Sequence, residues 1–146
     1  MQIDALKEMF AQSGLKFTNQ RYLVYKAMVA ARDHPSAEMV WRRVREEAPA
    51  ISLDTVYRTL AALEARGLVT RVPAGGDEGR FDGDVTAHHH VVCLRCGAID
   101  DFTMPGAGLT DLPPSVAAWG SVRDAQVLVR GICRNCLGQT DNNQPN

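Results

Sequence analysis

The sequence predicts an α+β protein built in two parts, helices first and a small β-rich unit second. Three observations predict it. Apolar residues recur at helical spacing up to about residue 66, the period shortens to that of strands after Gly67, and two Cys-x2-Cys pairs bracket the last third of the chain. At 146 residues the chain can hold one large domain or two small ones. Its 45% hydrophobic and 23% charged residues are those of an ordinary globular protein, and no window approaches the roughly 18 apolar residues of a membrane span. The opening MQIDALKEMF has acids and no uninterrupted apolar run, so the expectation is a cytoplasmic protein with no membrane partner. In that reducing compartment four cysteines point to metal or redox chemistry rather than to two structural disulfides.

Each helix has its own signals. Ile3, Leu6, Met9 and Phe10 share a helical face that Gly14 ends. Thr18 can cap a second helix whose apolar side is Leu23, Val24, Ala27, Met28 and Ala31. HPSAEMVWRRV supplies a proline and a serine cap before a third helix, which must end near Pro49. The fourth is the clearest: Ser52 is a plausible N-cap, Leu53, Val56, Leu60 and Leu63 form one face, Gly67 is the stop, and Asp54, Arg58 and Ala62 lie opposite, flanked by Tyr57. LVTRVPAGGDEGRFD then reads as a hairpin around a Gly-rich turn. Helices followed by such a hairpin are the plan of a winged helix-turn-helix over residues 1–82, in which the last helix enters the major groove. A compact helical module that binds another protein would show the same pattern. The net charge of −1 does not choose between them, although Lys16, Arg21, Lys26 and Arg32 fall in a segment, residues 9–32, without an acid.

Residues 83–86, GDVT, read as a linker, and residues 87–137 as a second unit. HHHVVCL, AIDDF and DAQVLVRGIC are strand-like, separated by a stretch rich in Pro and Gly from Met104 to Pro114 and a short helical piece at SVAAW. A unit this small is near the limit at which a core suffices, so a metal staple or a subunit interface is expected. Residues 138–146, a polar tail, are expected to be disordered.

Two sites of different chemistry are candidates. Cys93, Cys96, Cys133 and Cys136 form two knuckles thirty-six residues apart, which can deliver four thiolates to one tetrahedral structural Zn2+. A redox role would require one such motif in a βαβ setting, which this region lacks. On an extended strand His88 and His90 share one face, while His89 and Cys93 point to the other. Two imidazoles leave a transition metal short of ligands. His34, Asp82 and Asp101 could complete the set, but periodicity does not bring them together, and a turn histidine, a turn acid and a solvated strand acid explain them equally well.

GLKFTNQR, HPSAEMV, ISLDTVYRTLAALEARGLV, RFD, HHHVVCLRCGAIDDF and GICRNC stand in an order and spacing that resemble the ferric uptake regulator superfamily of metal-dependent bacterial repressors. The resemblance runs from about Leu6 to Cys136. It implies an N-terminal winged helix, a C-terminal α/β dimerisation domain carrying the four-cysteine zinc, and a regulatory metal held by His34, Asp82, His88, His90 and Asp101. Iron sensors of the superfamily usually place a glutamate at the two carboxylate positions; the aspartates here look like the peroxide-responsive branch. That branch implies Fe2+ or Mn2+ at the regulatory site, with His34 or His88 oxidised by peroxide when iron is bound. VRDAQVLVRGIC has no histidine where iron sensors often ligate a further metal, so that extra site is expected to be absent and His89 unused. The resemblance also implies a homodimer on double-stranded, A·T-rich, palindromic operator DNA. In it the helix from about Leu53 to Arg66 enters the major groove with Tyr57 and Arg58, Lys16 reaches the minor groove, and Gln20 and Arg21 contact phosphates.

Three rivals follow from the same residues. An iron-responsive or zinc-responsive uptake repressor would share the fold. A small metallohydrolase could use the His/Asp cluster, but no Ser or Glu stands beside the His pair as nucleophile or base, so an enzyme is not expected. A thiol switch on the knuckles would require zinc that is lost easily.

Overall fold

A computed structural model describes residues 3–72, 79–104 and 112–139. The chain divides into two compact units, Met1–Val85 and Thr86–Asn146. Among the described residues no helix is long and apolar enough to cross a membrane.

The first unit carries α1 (Ile3–Ser13), α2 (Asn19–Ala30), α3 (Ala37–Val44), α4 (Leu53–Ala65), β1 (Thr70–Val72) and β2 (Arg80–Asp82). Three of the four helices begin where a hydroxyl can accept an orphan backbone N–H. Thr18 accepts from Arg21, Ser36 from Met39 and Ser52 from Thr55. Gly14 and Gly67 end α1 and α4 at φ +79° and +73°, a left-handed turn that a side chain would strain. The third helix stops at Val44, several residues before Pro49, and the chain runs on through turns at Arg45–Glu47. β1 and β2 pair antiparallel with Thr70 opposite Asp82, which is the expected hairpin; its Gly-rich tip, residues 73–78, lies outside the described residues.

One apolar core holds this unit. Phe10, Val24, Met28, Val40, Val56, Leu60 and Leu63 are fully buried, and Phe10 meets the ring of Tyr25 edge-on at 5.7 Å. Tyr25 belongs to the core although the apolar stripe read from the sequence omitted it. Ile3, which the stripe read for the first helix included, is exposed. Trp41 closes the loop before α4 by donating its indole N–H to the Ile51 carbonyl at 3.0 Å.

The second unit carries β3 (His89–Cys93), β4 (Ile99–Phe102), α5 (Pro114–Trp119), β5 (Leu128–Gly131) and α6 (Arg134–Gln139). Its sheet runs β4-β3-β5, antiparallel between β3 and β4 and parallel between β3 and β5, so the chain crosses over between β4 and β5 with α5 on the way. α6 carries helix through Gln139, two residues into the segment expected to be a disordered tail, because the second Cys knuckle opens directly into it; residues 140–146 lie outside the described residues. Residues 105–111, most of the stretch rich in Pro and Gly, also lie outside them.

Candidate metal centres and DNA-reading face

The register of β3 separates two chemistries by parity. Cys93 ends the strand on one face, and the four thiol sulfurs of Cys93, Cys96, Cys133 and Cys136 lie within 4.8 Å of one another. Cys93 Sγ is 3.8 Å from Cys136 Sγ, and Cys96 Sγ is 3.8 Å from Cys133 Sγ. That is far beyond a disulfide bond, and it matches the edge of about 3.8 Å that four sulfurs make around a tetrahedral ion bonded at roughly 2.3 Å. Gly97, at φ +76°, lets the Cys93–Cys96 knuckle turn back so that its N–H reaches the Cys93 carbonyl at 3.0 Å. Backbone N–H groups point at the sulfurs, from Cys133 to Cys93 at 3.3 Å and from Ala98 to Cys96 at 3.4 Å. Donors from Cys96 and Cys133 pull the Cys93 thiol down to about 6, while the crowd of neighbouring thiols, Cys133 first, pushes Cys136 up to about 12. Cys93 readily becomes a thiolate; Cys136 needs a cation to follow. The donor set fits a structural metal.

On the opposite parity His88 and His90 bring their rings to 4.6 Å. His90 lies across from Asp101 in the β3–β4 register, and Asp101 Oδ1 is 3.3 Å from His90 Nε2 and 3.4 Å from His88 Nε2. His88 Nδ1 lies 2.6 Å from the Thr86 carbonyl oxygen. A carbonyl only accepts, so the proton of the neutral ring sits on Nδ1 and the Nε2 lone pair faces the carboxylate. Two such donors repel unless a proton or a metal cation sits between them, so this half of the candidate site fits a divalent ion. His89 takes the other face. It is buried, its Nδ1 accepts the Val127 N–H at 3.0 Å, and its ring packs on Phe102 at 5.3 Å.

In the first unit His34 Nε2 and Asp82 Oδ2 are 3.4 Å apart and both side chains are buried. His34 sits at φ +51°, the single left-handed residue other than glycine among those described, a conformation that costs on the order of 1 kcal/mol or more. The wing strand imposes it. Phe81 donates its N–H to the Pro35 carbonyl at 3.0 Å, Ser36 bridges to Arg80, and the Arg80 guanidinium donates to the carbonyls of Asp33, at 2.8 Å, and His34. Arg80 is a site-building residue that sequence reading missed; its place in RFD beside Asp82 is the signal that could have found it. Asp82 Oδ1 in turn accepts the Asp84 N–H at 2.9 Å. Each unit therefore contributes a compact group, His34 with Asp82 in one and His88, His90 and Asp101 in the other.

The residues expected at DNA divide by position. Gln20, Arg21 and Arg58 line one open cleft of about 300 Å3 with Thr18, Thr55 and Thr59, between the start of α2 and the middle of α4. The threonines were missed, although Thr55, Arg58 and Thr59 share one helical face by spacing. Arg58 is held by Asp54 one turn earlier at 3.0 Å and stays largely exposed. Tyr57 is exposed on α4, and Lys16, in the loop before α2, accepts the Arg21 guanidinium on its carbonyl at 2.8 Å.

A profile of the ferric uptake regulator family matches residues 12–110. The ferric uptake regulation protein of Bacillus subtilis is 34% identical over 144 residues, 94% of this chain and 95% of that protein. The peroxide-responsive repressor PerR of Staphylococcus saprophyticus is 29% identical over 124 residues, 85% of this chain and 84% of that one. Among solved structures, the Campylobacter jejuni peroxide stress regulator aligns with a TM-score of 0.68 at 27% identity, covering 93% of this chain and 100% of that one. With two thirds of its length matched by the family profile and a relative above 30% identity along nearly all of it, the chain belongs to the ferric uptake regulator family, whose members are metal-responsive transcriptional repressors that bind operator DNA as dimers and are not enzymes.

Proposed function

We propose that this repressor senses peroxide through a regulatory metal held by His34, Asp82, His88, His90 and Asp101, while Cys93, Cys96, Cys133 and Cys136 hold a structural Zn2+. One observation carries the reading: the His88 lone pair and the Asp101 carboxylate, 3.4 Å apart with the His88 ring proton drawn off to Thr86, form a donor pair that a divalent cation satisfies. Overall identity does not choose the branch, since an iron regulator and a peroxide-responsive one match comparably. Aspartate at both carboxylate positions favours peroxide. Fe2+ held there would supply the reducing power for hydrogen peroxide, with the imidazoles of His34 and His88 as the ligand groups exposed to the oxidation; Mn2+ would occupy the site without that chemistry.

The pair His34–Asp82 and the trio His88, His90 and Asp101 lie on either side of residues 83–86 in the sequence, a short hinge in this reading. One ion shared by both would fix the angle at which two winged helices of a homodimer meet an A·T-rich palindrome. Its leverage equals its preference for the DNA-competent state over the relaxed one. Lys16, Gln20, Arg21, Tyr57 and Arg58 would then make the contacts, and the protein would work in the cytoplasm. The test is operator binding titrated with Fe2+, Mn2+ and Zn2+, with and without hydrogen peroxide. The reading predicts that binding needs Fe2+ or Mn2+, that peroxide abolishes it with Fe2+ alone, and that the peptide bearing His34 or His88 gains one oxygen in the same sample. Binding that follows the metal but ignores peroxide would instead identify an iron- or zinc-responsive uptake repressor.

A further inference from the structure

The two histidines of β3 are oriented by unlike partners. His88 Nδ1 meets the Thr86 carbonyl, which can only accept, so its proton position is fixed. His90 Nδ1 meets the side-chain amide nitrogen of Gln126 at 3.0 Å, and that nitrogen also donates to the His88 carbonyl at 3.4 Å. An amide nitrogen only donates. The neutral His90 ring must then accept on Nδ1 and carry its proton on Nε2, aimed at Asp101 Oδ1 3.3 Å away. This is the tautomer that cannot ligate through Nε2. Turning the amide end over end presents its oxygen to Nδ1 and favours the tautomer that can.

We propose that Gln126 is a positioning residue for the regulatory site: its amide decides which nitrogen of His90 holds the proton and so sets how tightly the site takes a divalent cation. Taking up the ion moves one proton from Nε2 to Nδ1 through solvent, and the amide turns to accept it at the cost of its bond to the His88 carbonyl. A site built this way binds less tightly than one oriented by a permanent acceptor, which leaves the ion exchangeable. The inference rests on the assignment of His88, His90 and Asp101 to a metal.

Gln126 is exposed and follows no regular element, so substitutions there should fold. Gln126→Glu offers only acceptors and Gln126→Leu offers none. Ring 15N spectra of the zinc-loaded, regulatory-metal-free chain should place the His90 proton on Nε2 in the parent and on Nδ1 in Gln126→Glu. Mn2+ affinity, read from the electron paramagnetic resonance of free Mn2+, should rise about tenfold in Gln126→Glu and by a smaller factor, about threefold, in Gln126→Leu, which removes the opposing donor without supplying an acceptor. His90 shifts and Mn2+ affinities within twofold of the parent in both variants would overturn the role of Gln126 while leaving the metal site standing. If the parent takes up Mn2+ no differently from His88→Ala, the site assignment falls and this inference with it.

Discussion

The two units are held together by different forces. The first buries sixteen apolar side chains in one described cluster, from Leu6 to Phe81. In the second, the buried apolar residues among those described are Val92, Cys93, Ile99 and Cys136, and two of the four are the candidate zinc ligands themselves. Trp119, Leu94 and Leu137 of that unit are exposed. A core at about 25 cal/mol per Å2 can carry the first unit, but the second has too little apolar area removed from water to offset the entropy of ordering its chain. It needs its metal, and the exposed apolar residues suit the dimer contact that the family makes. The first unit should therefore be stable by itself, and the second by virtue of what it binds.

The largest effect expected is the loss of the metal. Cys136→Ser, or strong chelation of the four-thiol site, should unfold the second unit, since structural zinc contributes on the order of 10 kcal/mol to a small fold. The helices α1–α4 should survive. Amide spectra of the chelated chain check this: dispersed signals retained for residues of β3–β5 would break the comparison. The converse comes next. Leu60→Ala removes a fully buried side chain from α4 and should cost the first unit about 2–5 kcal/mol, while zinc content stays unchanged. Loss of zinc in that variant would mean that the units do not stand independently.

Much of this contrast was legible in the sequence. α4 was readable because its cap, stripe and glycine stop are all local, and the parity of β3 put His88 and His90 on one face and His89 on the other before any coordinates. What was not legible depends on distant partners. The left-handed turn at His34 follows from Arg80, forty-six residues later, and the tautomer of His90 from Gln126, thirty-six residues later. No periodicity links such positions. The five-ligand set itself came from resemblance to a family, and spacing by itself left His34, Asp82 and Asp101 with ordinary structural explanations.

A third prediction tests the segment that joins the wing to the second unit. A Cβ on Gly83 would lie 2.5 Å from the Met28 carbonyl oxygen and 2.8 Å from its carbon, closer than real side chains come to backbone. Gly83→Ala must push the chain away from the end of α2 and carry Asp82 with it. The expected cost is about 1–3 kcal/mol in thermal or urea unfolding of the first unit, together with weaker dependence of operator binding on added Mn2+. Gly14→Ala makes a control, since its Cβ would meet nothing within 4 Å and only the strain of φ +79° is felt. If both variants lose metal response equally, close approach at Gly83 is not what places Asp82.

The smallest effect concerns charge. Arg43 of α3 grips Asp33 with two hydrogen bonds, at 3.1 Å and 2.5 Å, just before the strained His34. The Arg43 hydrogen bond holds the Asp33 carboxyl below the ordinary aspartate range, against a smaller opposing contribution from burial. Because the folded value lies below the unfolded one, the unfolded chain takes up this proton first as pH falls. The stabilisation is complete above the ordinary aspartate range and is lost as pH drops through the folded value. Both side chains are more than a third exposed, so solvent and salt screen the pair to about 0.5–1 kcal/mol at most. Urea unfolding should therefore show Asp33→Asn less stable than the parent by that amount at pH 7, less so in high salt, with the two converging in acid. A deficit of several kcal/mol that persists in acid would show that Asp33 holds the His34 turn by shape and not by charge, and that the first unit depends on more than its apolar core.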